Sequence, residues 1–359
     1  MRFSDVLDIR NGRNQRQVEN ENGKYPIYGS GGVMGHADDF ICDAETVVIG
    51  RKGSINNPIF VDEPFWNVDT AFGLVAHKEV LLPKYLYYFC VNFDFERLNT
   101  TVTIPSLTKA NLLQIEIRVP DMDIQQNIVS VLDKICYLIE WRQKELYNLD
   151  QLVKSRFIEM FGVYPANPMG WEIGTIRDIV TEVRYGSSRP AVDGGKYPYL
   201  RMNNITYGGE LDLSDTKRID IPDNELDKCT VRRGDVLFNR TNSKELVGKT
   251  CVYDRDEMMV LAGFVIRIRV KDCILPEFLS AFLNTDFSKQ MLLGMCKTAI
   301  GQANINAQEL QNIGLYLPPV ELQRRFIQFK KETDKSKYRQ EKCIGFFQCL
   351  EKNIRQEWL

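Results

Sequence analysis

Apolar residues along the chain keep two different periods. Short runs such as Thr46–Gly50 (TVVIG), Asp235–Phe238 (DVLF) and Gly263–Val270 (GFVIRIRV) are β-branched or alternating, and Gly, Asn or Asp bound them. That is the pattern of strands. Two long stretches behave otherwise. Leu132, Ile139, Leu146, Val153 and Met160 fall seven apart, with Ile128, Ile135 and Leu149 on intervening positions. Near the end of the chain Phe326, Phe347 and Ile354 share one register, and Phe329, Cys343 and Leu350 the companion one. Seams at 3.5-residue spacing predict helices that pack as coiled coils. A helix from Asp121 to about Phe161 would be roughly 60 Å long, several times the mean helix length. Most of such a helix must find an apolar partner elsewhere. The two long helices are expected to be each other's partner, as an antiparallel pair.

Each long helix begins at the same kind of junction. Ile115–Ile128 reads IEIRVPDMDIQQNI, and Asn312–Phe326 reads NIGLYLPPVELQRRF. Proline fixes its own φ and pushes the preceding residue toward an extended conformation, so Val119 closes a strand-like segment. Asp121 or Asp123 can then cap the helix, with Gln126 as capping-box partner. In the later junction Pro319 suits the first turn and Glu321 the positive helix end.

Aligned, the junctions place Pro120 opposite Pro318, Gln125 opposite Gln323 and Leu112 opposite Leu310, an offset of 198. The match runs backward without a gap, LTKANLLQIEIRVP against INAQELQNIGLYLP. Upstream, PKYLYYFCVNFDF from Pro83 matches PEFLSAFLNTDF from Pro276. GKYPIYGSGG from Gly23 matches GKYPYLRMNN from Gly195 at an offset of 172, which puts about 26 extra residues inside the second copy. Two copies of one module are therefore expected. The fold class is α+β: strand-rich modules at 1–119 and 162–317, separated by an antiparallel coiled-coil pair of long helices at 120–161 and 318–359, in a pseudo-twofold internal repeat.

Composition changes this picture little but excludes much. The 359 residues are 44% hydrophobic and 26% charged, as in ordinary soluble proteins. No apolar run is long enough for a membrane span, and MRFSDVLDIRNG lacks a signal-peptide core. Nine cysteines without a CxxC pair suggest reduced thiols in a cytoplasm. Net charge is −2 and no segment before residue 318 is basic overall, so any polyanion-binding surface must be a local cluster. The basic tail reads as a solvated helix face.

Catalytic motifs are poorly supported. GRKGS lacks P-loop spacing, and NPIF (Asn57–Phe60) lacks the second proline and glycine-rich turn of an amino-methyltransferase. PDNELDK (Pro222–Lys228) has no Glu-x-Lys to complete a nuclease site. The only histidines, His36 and His77, stand far apart without companion motifs, which argues against triads and metal cages. No catalytic or metal-ligating residue is assigned.

Two variable strand-rich modules, each followed by a long helix, resemble the specificity subunit of type I restriction–modification systems. The resemblance covers nearly the whole chain. It rests on YGSGGVMG (Tyr28–Gly35), VVIGRKGSINNPIFV (Val47–Val61), GDVLFNRTNSKELVGKTCVY (Gly234–Tyr253), the two junctions and the order of parts. It implies that each module is a target-recognition domain reading one half of a split double-stranded DNA site. It further implies that the helices fix the gap between halves and dock two methyltransferase subunits acting on adenine N6, which motor-nuclease subunits join. S-adenosylmethionine, ATP and Mg would belong to those partners, and this chain would perform no chemistry and hold no cofactor. The first module departs from the pattern: about 22 residues precede GKYP and no Trp opens it, whereas Trp171 opens the second. A helix-dimerised β-rich scaffold for protein or glycan is the alternative, as is a specificity subunit of another restriction enzyme type.

Base edges are read by short amide and hydroxyl side chains and by Arg or Lys on guanine, while phosphates take cations, hydroxyls and backbone amides. In the first module GRKGSINN offers Arg51 and Lys52 between glycines, then Ser54, Asn56 and Asn57; the same stretch also reads as a solvated hairpin turn. Gly29–Gly32 reads as a tight turn first and an anion nest second. In the second module FNRTNSKELVGK supplies Asn239, Arg240, Thr241, Asn242, Ser243 and Lys244, with Lys249 beyond. Six polar residues in a row are expected to be too polar for a core. Arg189, Arg201, Asn203 and Asn204 are secondary candidates. TVTIPSLTK (Thr101–Lys109) and TAIGQANIN (Thr298–Asn306) precede the junctions and add Ser106, Lys109, Gln302 and Asn304.

Overall fold

A computed structural model describes residues 1–98, 106–299 and 302–359; the side chains of 297–299 and 302 lie outside the description. The first strand-rich segment holds α1 (Phe3–Val6), β1 (Leu7–Asn11), β2 (Tyr25–Gly29), β3 (Gly32–Ala37), β4 (Thr46–Gly50), β5 (Ile59–Val61), β6 (Trp66–Asn67) and β7 (Ala71–Ala76). Helices α2 (Pro83–Asn92) and α3 (Lys109–Leu113) follow, and then the long α4 (Met122–Phe161).

The second segment opens with β8 (Ile173–Thr175), α5 (Ile176–Ile179), β9 (Val180–Tyr185) and β10 (Tyr197–Leu200). Next come β11 (Lys217–Ile219), α6 (Asp223–Cys229), β12 (Thr230–Val231), β13 (Val236–Asn239), β14 (Thr241–Asn242), β15 (Thr250–Val252), β16 (Met259–Leu261) and β17 (Val265–Val270). It closes with α7 (Pro276–Leu283), α8 (Asp286–Met295), β18 (Lys297–Ala299), β19 (Gln302–Asn304), α9 (Ala307–Gln311), β20 (Gly314–Tyr316) and the long α10 (Val320–Trp358).

The repeat read from the junctions extends to topology. The first segment folds around an antiparallel sheet of order β1-β7-β4-β5, and the second around β9-β17-β13-β15. In each copy the central strand is buried throughout, TVVIG in one and VLFN in the other, which is why its residues are apolar on both faces. Smaller sheets match as well: β2 pairs β6 in parallel as β10 pairs β16. In the first copy α1 and β1 occupy the places of α5 and β9. Both short helices open alike, Asp5 accepting the Arg2 amide at 2.9 Å and Asp178 the Thr175 amide at 2.8 Å. The surplus of the second copy includes β11, α6 and β12, which lie between β10 and β13.

The chain divides into two compact units, Met1–Glu145 with Arg339–Leu359, and Leu146–Tyr338. Each contains part of both long helices. In the first unit Cys136 Sγ lies 3.6 Å from Glu351 Oε1, and Arg142 donates to Gln340 at 2.9 Å. In the second, Lys337 pairs with Asp150 at 2.8 Å and the Phe157 ring meets the Phe326 ring at 5.2 Å. Numbers climb on one helix as they fall on the other, so the pair is antiparallel. The predicted seam is buried where the modules also press on it, at Ile128, Leu132, Ile135 and Phe326, and Phe157 and Phe161, outside that seam, are buried as well. Elsewhere, at Ile139, Leu146 and Val153, it is half-buried, as expected of a two-helix contact.

Candidate nucleic-acid interface

In the first module β4 ends at Gly50, and the chain turns back so tightly that a Cβ there would meet Ser54 O at 2.2 Å. Gly53 in the same turn has φ +79°, a region that favours glycine. Arg51 is fixed from three sides. Its amide donates to Thr70 O at 2.8 Å, its carbonyl accepts the Leu107 amide at 2.9 Å, and its guanidinium lies 5.7 Å over the Phe72 ring. Lys52 forms a β-bridge with Ser106. Ser54 and Asn57 are exposed, whereas Asn56 accepts from the Phe95 amide at 2.7 Å and donates to Asp94 at 3.0 Å. Lys109 Nζ donates to Ile9 O at 3.0 Å, tying α3 to β1. Gly29 pairs with Gly32 across the β2–β3 turn, so GSGG is a hairpin tip.

Sequence reasoning overlooked Arg10, Arg13 and Arg16 around the end of β1. All three are exposed and none forms an ion pair among the described residues. Arg10 faces Gly73 and Asn11 faces Phe72 across β7, so β1 ends beside the ring that carries Arg51. The Arg13 amide donates to Asn67 O at 2.8 Å, and Gly12 is required because a Cβ there would overlap Val68 O. The available signal was RNGRNQR, three arginines in seven positions around a glycine. With Arg51, Lys52 and Lys109, this sheet end gathers cations that form no ion pair among the described residues; the loop carrying Thr70 also contributes the exposed Asp69.

The second module repeats the frame. Arg240 follows β13 as Arg51 follows β4; its carbonyl accepts the Ile305 amide at 2.9 Å, and its guanidinium lies 4.8 Å over the Tyr185 ring. Leu107 and Ile305 are partners in the sequence alignment, so the same bond joins the same two segments in both copies. Thr241 and Asn242 pair with Asn304 and Ala303, and β19 also pairs with β18. The FNRTN stretch and the segment before the junction thus share one small sheet.

Charge is another matter here. Arg189 forms a two-pronged pair with Glu225, at 2.7 and 3.2 Å, and Arg201 pairs with Asp215 at 2.9 Å. The hydrogen bond and charge of Glu225 raise the Arg189 pKa above its usual range. Lys249 is 7% exposed and donates to Met202 O at 3.0 Å. Asn204 is buried, clipping the Asp212 and Asp215 carbonyls, while its neighbour Asn203 is exposed.

The expectation that the polar run stays out of the core fails at Asn239 and Thr241. Asn239 is fully buried because its amide bonds Thr241 O, Phe264 O and the Asn242 side chain, and Thr241 Oγ1 donates to Asn304 at 3.1 Å. Buried polar groups are tolerated when so satisfied. Asn242, Ser243 and Asn304 are partly exposed and Lys244 is exposed. The side chain of Gln302 lies outside the described residues, as do Thr101 to Pro105 of the matching stretch.

Lys249 has a companion in Lys289, which donates to Gly248 O at 2.7 Å. Burial, and then the charge of Lys249, push Lys289 down to about 8. An unfolded lysine holds its proton to about 10.4, so between these values the unfolded state binds more protons and stability rises with pH. Relative to Lys289→Met, the parent chain should gain stability between pH 8 and 10. Urea titrations of both chains across that range provide the check, and parallel curves would contradict the burial effect.

Comparison with known proteins places this geometry. The sequence model described as "Type I restriction modification DNA specificity domain" matches residues 1–150 and 168–342. The EcoKI specificity subunit of a type I restriction enzyme from Escherichia coli is 22% identical over 299 residues, covering 77% of this chain and 64% of that protein. A putative type I specificity subunit from Haemophilus influenzae is 20% identical over 332 residues, with 85% and 79% covered. The putative MjaX specificity subunit of Methanocaldococcus jannaschii is 28% identical over 171 residues, covering 46% of this chain. The chain spans less than two thirds of the EcoKI and MjaX subunits, 64% and 40%. The fold agrees with the crystal structure of a type I restriction–modification S subunit from M. genitalium, at TM-score 0.59 and 16% identity over 99% of this chain and 94% of that one. A further structure, from a study of assembly of a type I system, reaches TM-score 0.62 at 16% identity, with 99% and 96% covered.

Proposed function

The chain belongs to the type I restriction modification DNA specificity family, and we propose that it is the non-catalytic subunit that reads a two-part DNA target for such a system. Residues 1–119 and 162–317 are the two recognition modules, each taking one half of the target. The long helices set the gap between halves and dock two methyltransferase subunits, which motor-nuclease subunits join. S-adenosylmethionine, ATP and Mg act in those partners.

The observation that carries the reading is the repeated frame at the sheet end. An arginine leaves the central strand, rests on an aromatic ring and binds the segment before the junction, in both copies. A rigid platform with exposed amide, hydroxyl and cationic side chains around it suits recognition of base edges and phosphates. The two copies differ in what surrounds that frame. The first offers unpaired cations suited to phosphates, and the second offers amides and hydroxyls with Arg189 and Arg201 already paired to carboxylates. No helix among the described residues is long and apolar enough to cross a membrane.

Mapping N6-methyladenine in host DNA with and without the gene tests the proposal. A two-part motif that vanishes on deletion is expected, and a motif that persists would refute it. Exchange of residues 162–317 for the module of another subunit should rewrite one half only; altered letters in both halves would end the modular reading.

A further inference from the structure

We infer that Gln125 and Gln323 are positioning residues: each locks the root of its long helix to its own module, and together they set the gap accepted between half-sites. The inference rests on the reading above that two modules take two halves of one target.

Both glutamines are fully buried, and a buried amide is costly unless every polar atom is paired. Gln125 Nε2 donates to Val80 O and Pro120 O at 2.8 Å each, and its Oε1 accepts the Leu82 amide at 2.9 Å. Gln323 Nε2 donates to Cys273 O at 3.2 Å and Pro318 O at 2.8 Å, and its Oε1 accepts the Leu275 amide at 2.8 Å. The two sets are the same set. Leu82 and Leu275 are the apolar N-caps of α2 and α7, which have no side-chain cap of their own. One side chain therefore joins three things: the proline that ends the junction, the loop before the module's own helix, and the first turn of the long helix.

The joined helices then lie on the long ones. Lys84 and Tyr88 of α2 bond Asp133 of α4 at 2.7 Å, and Glu277 of α7 pairs with Lys331 of α10 at 3.9 Å, while Phe278 of α7 also packs on Phe157 and Phe161 at the other end of α4. The clip and this second contact fix an angle, not only a position. The angle matters because of leverage. A tilt of about 5° at the root of a helix roughly 60 Å long moves its far end by about 5 Å, more than one base-pair step of about 3.4 Å.

The test maps methylated adenines in cells carrying the full chain with its partner subunits, at targets whose gap is native or changed by one base pair. The parent chain is measured first; if it methylates no two-part target, the functional reading fails before the clip is examined. Gln125→Met and Gln323→Met should each shrink the native-to-altered gap preference by about tenfold, the weight of one buried hydrogen bond, with the letters of both halves unchanged. Gln125→Glu and Gln323→Glu, which keep length and one acceptor, should show the same direction if the methionine chains do not accumulate. Leu112→Ala, a cavity in the same module, should lower methylation at every gap without changing the preference. A preference unchanged in all four glutamine variants, or loss of methylation equally at all gaps, would assign these residues to stability alone and overturn the inference.

Discussion

Replacing Arg51 and Lys52 together by serine will weaken DNA binding by the assembled complex about 10–100-fold near physiological salt and flatten its log–log salt slope by about two. The two side chains stand at the end of β4, and neither forms an ion pair among the described residues. Each phosphate neutralised by such a group releases bound counterion, and that release is what the slope counts. Arg189→Ser is the matched contrast. Arg189 already spends its guanidinium on Glu225, so its removal exchanges an internal pair for two solvated groups and should leave the slope nearly unchanged. Anisotropy titrations with a target duplex at four salt concentrations measure both. A slope unaffected by the double substitution would show that the cationic sheet end faces away from DNA. With a net charge of −2, the isolated chain should bind only weakly, and tight salt-resistant binding by it alone would contradict the same argument.

Asp235→Ala will destabilise the second module by about 3–5 kcal/mol, the usual consequence of removing one partner from a buried ion network. Asp235 is 1% exposed and accepts Arg269 Nε at 2.8 Å and the Arg232 amide at 2.9 Å. Arg269 also reaches Glu182 at 2.7 Å, and Glu182 accepts the fully buried Arg267 at 2.8 Å. The network lies across β9, β17 and the start of β13, so an unmatched guanidinium would sit inside the sheet. Denaturant titration of the full chain reads the loss, and a change under about 1 kcal/mol would mean that water reaches the site. Glu182 adds a pH signature. Burial pushes its carboxyl up, but the hydrogen bond from Arg184 and the charges of Arg267 and Arg269 outweigh that and hold it below the ordinary glutamate range. Its contribution is therefore complete above the unfolded glutamate pKa and is lost as pH falls through the lowered one. Glu182→Gln should remove that part of the acid sensitivity.

Half of the candidate site was legible because local sequence carries it. Gly50 and Gly53 announce the turn that presents Arg51 and Lys52, and the alignment of Leu107 with Ile305 already paired the segments that bond Arg51 and Arg240. The other half depended on partners distant in sequence. Arg189 and Arg201 look like free cations until Glu225 and Asp215 arrive through the fold. Asn239 looks solvated until Phe264 O offers its amide an acceptor. Arg10 of RNGRNQR looks like part of a charged loop until β1 pairs it with Gly73 of the sheet.

The sequence by itself determined the period of each element, the two seven-residue seams, the proline junctions and the duplication. These are properties of backbone stiffness and of side-chain repeat along one segment, and no distant contact is needed to express them. Only the tertiary structure decided which cations stay unpaired, which amides are consumed inside the sheets, and that Gln125 and Gln323 clip each long helix to its module. Those outcomes depend on which donor meets which acceptor once chain segments far apart come within about 3 Å, the reach of a hydrogen bond.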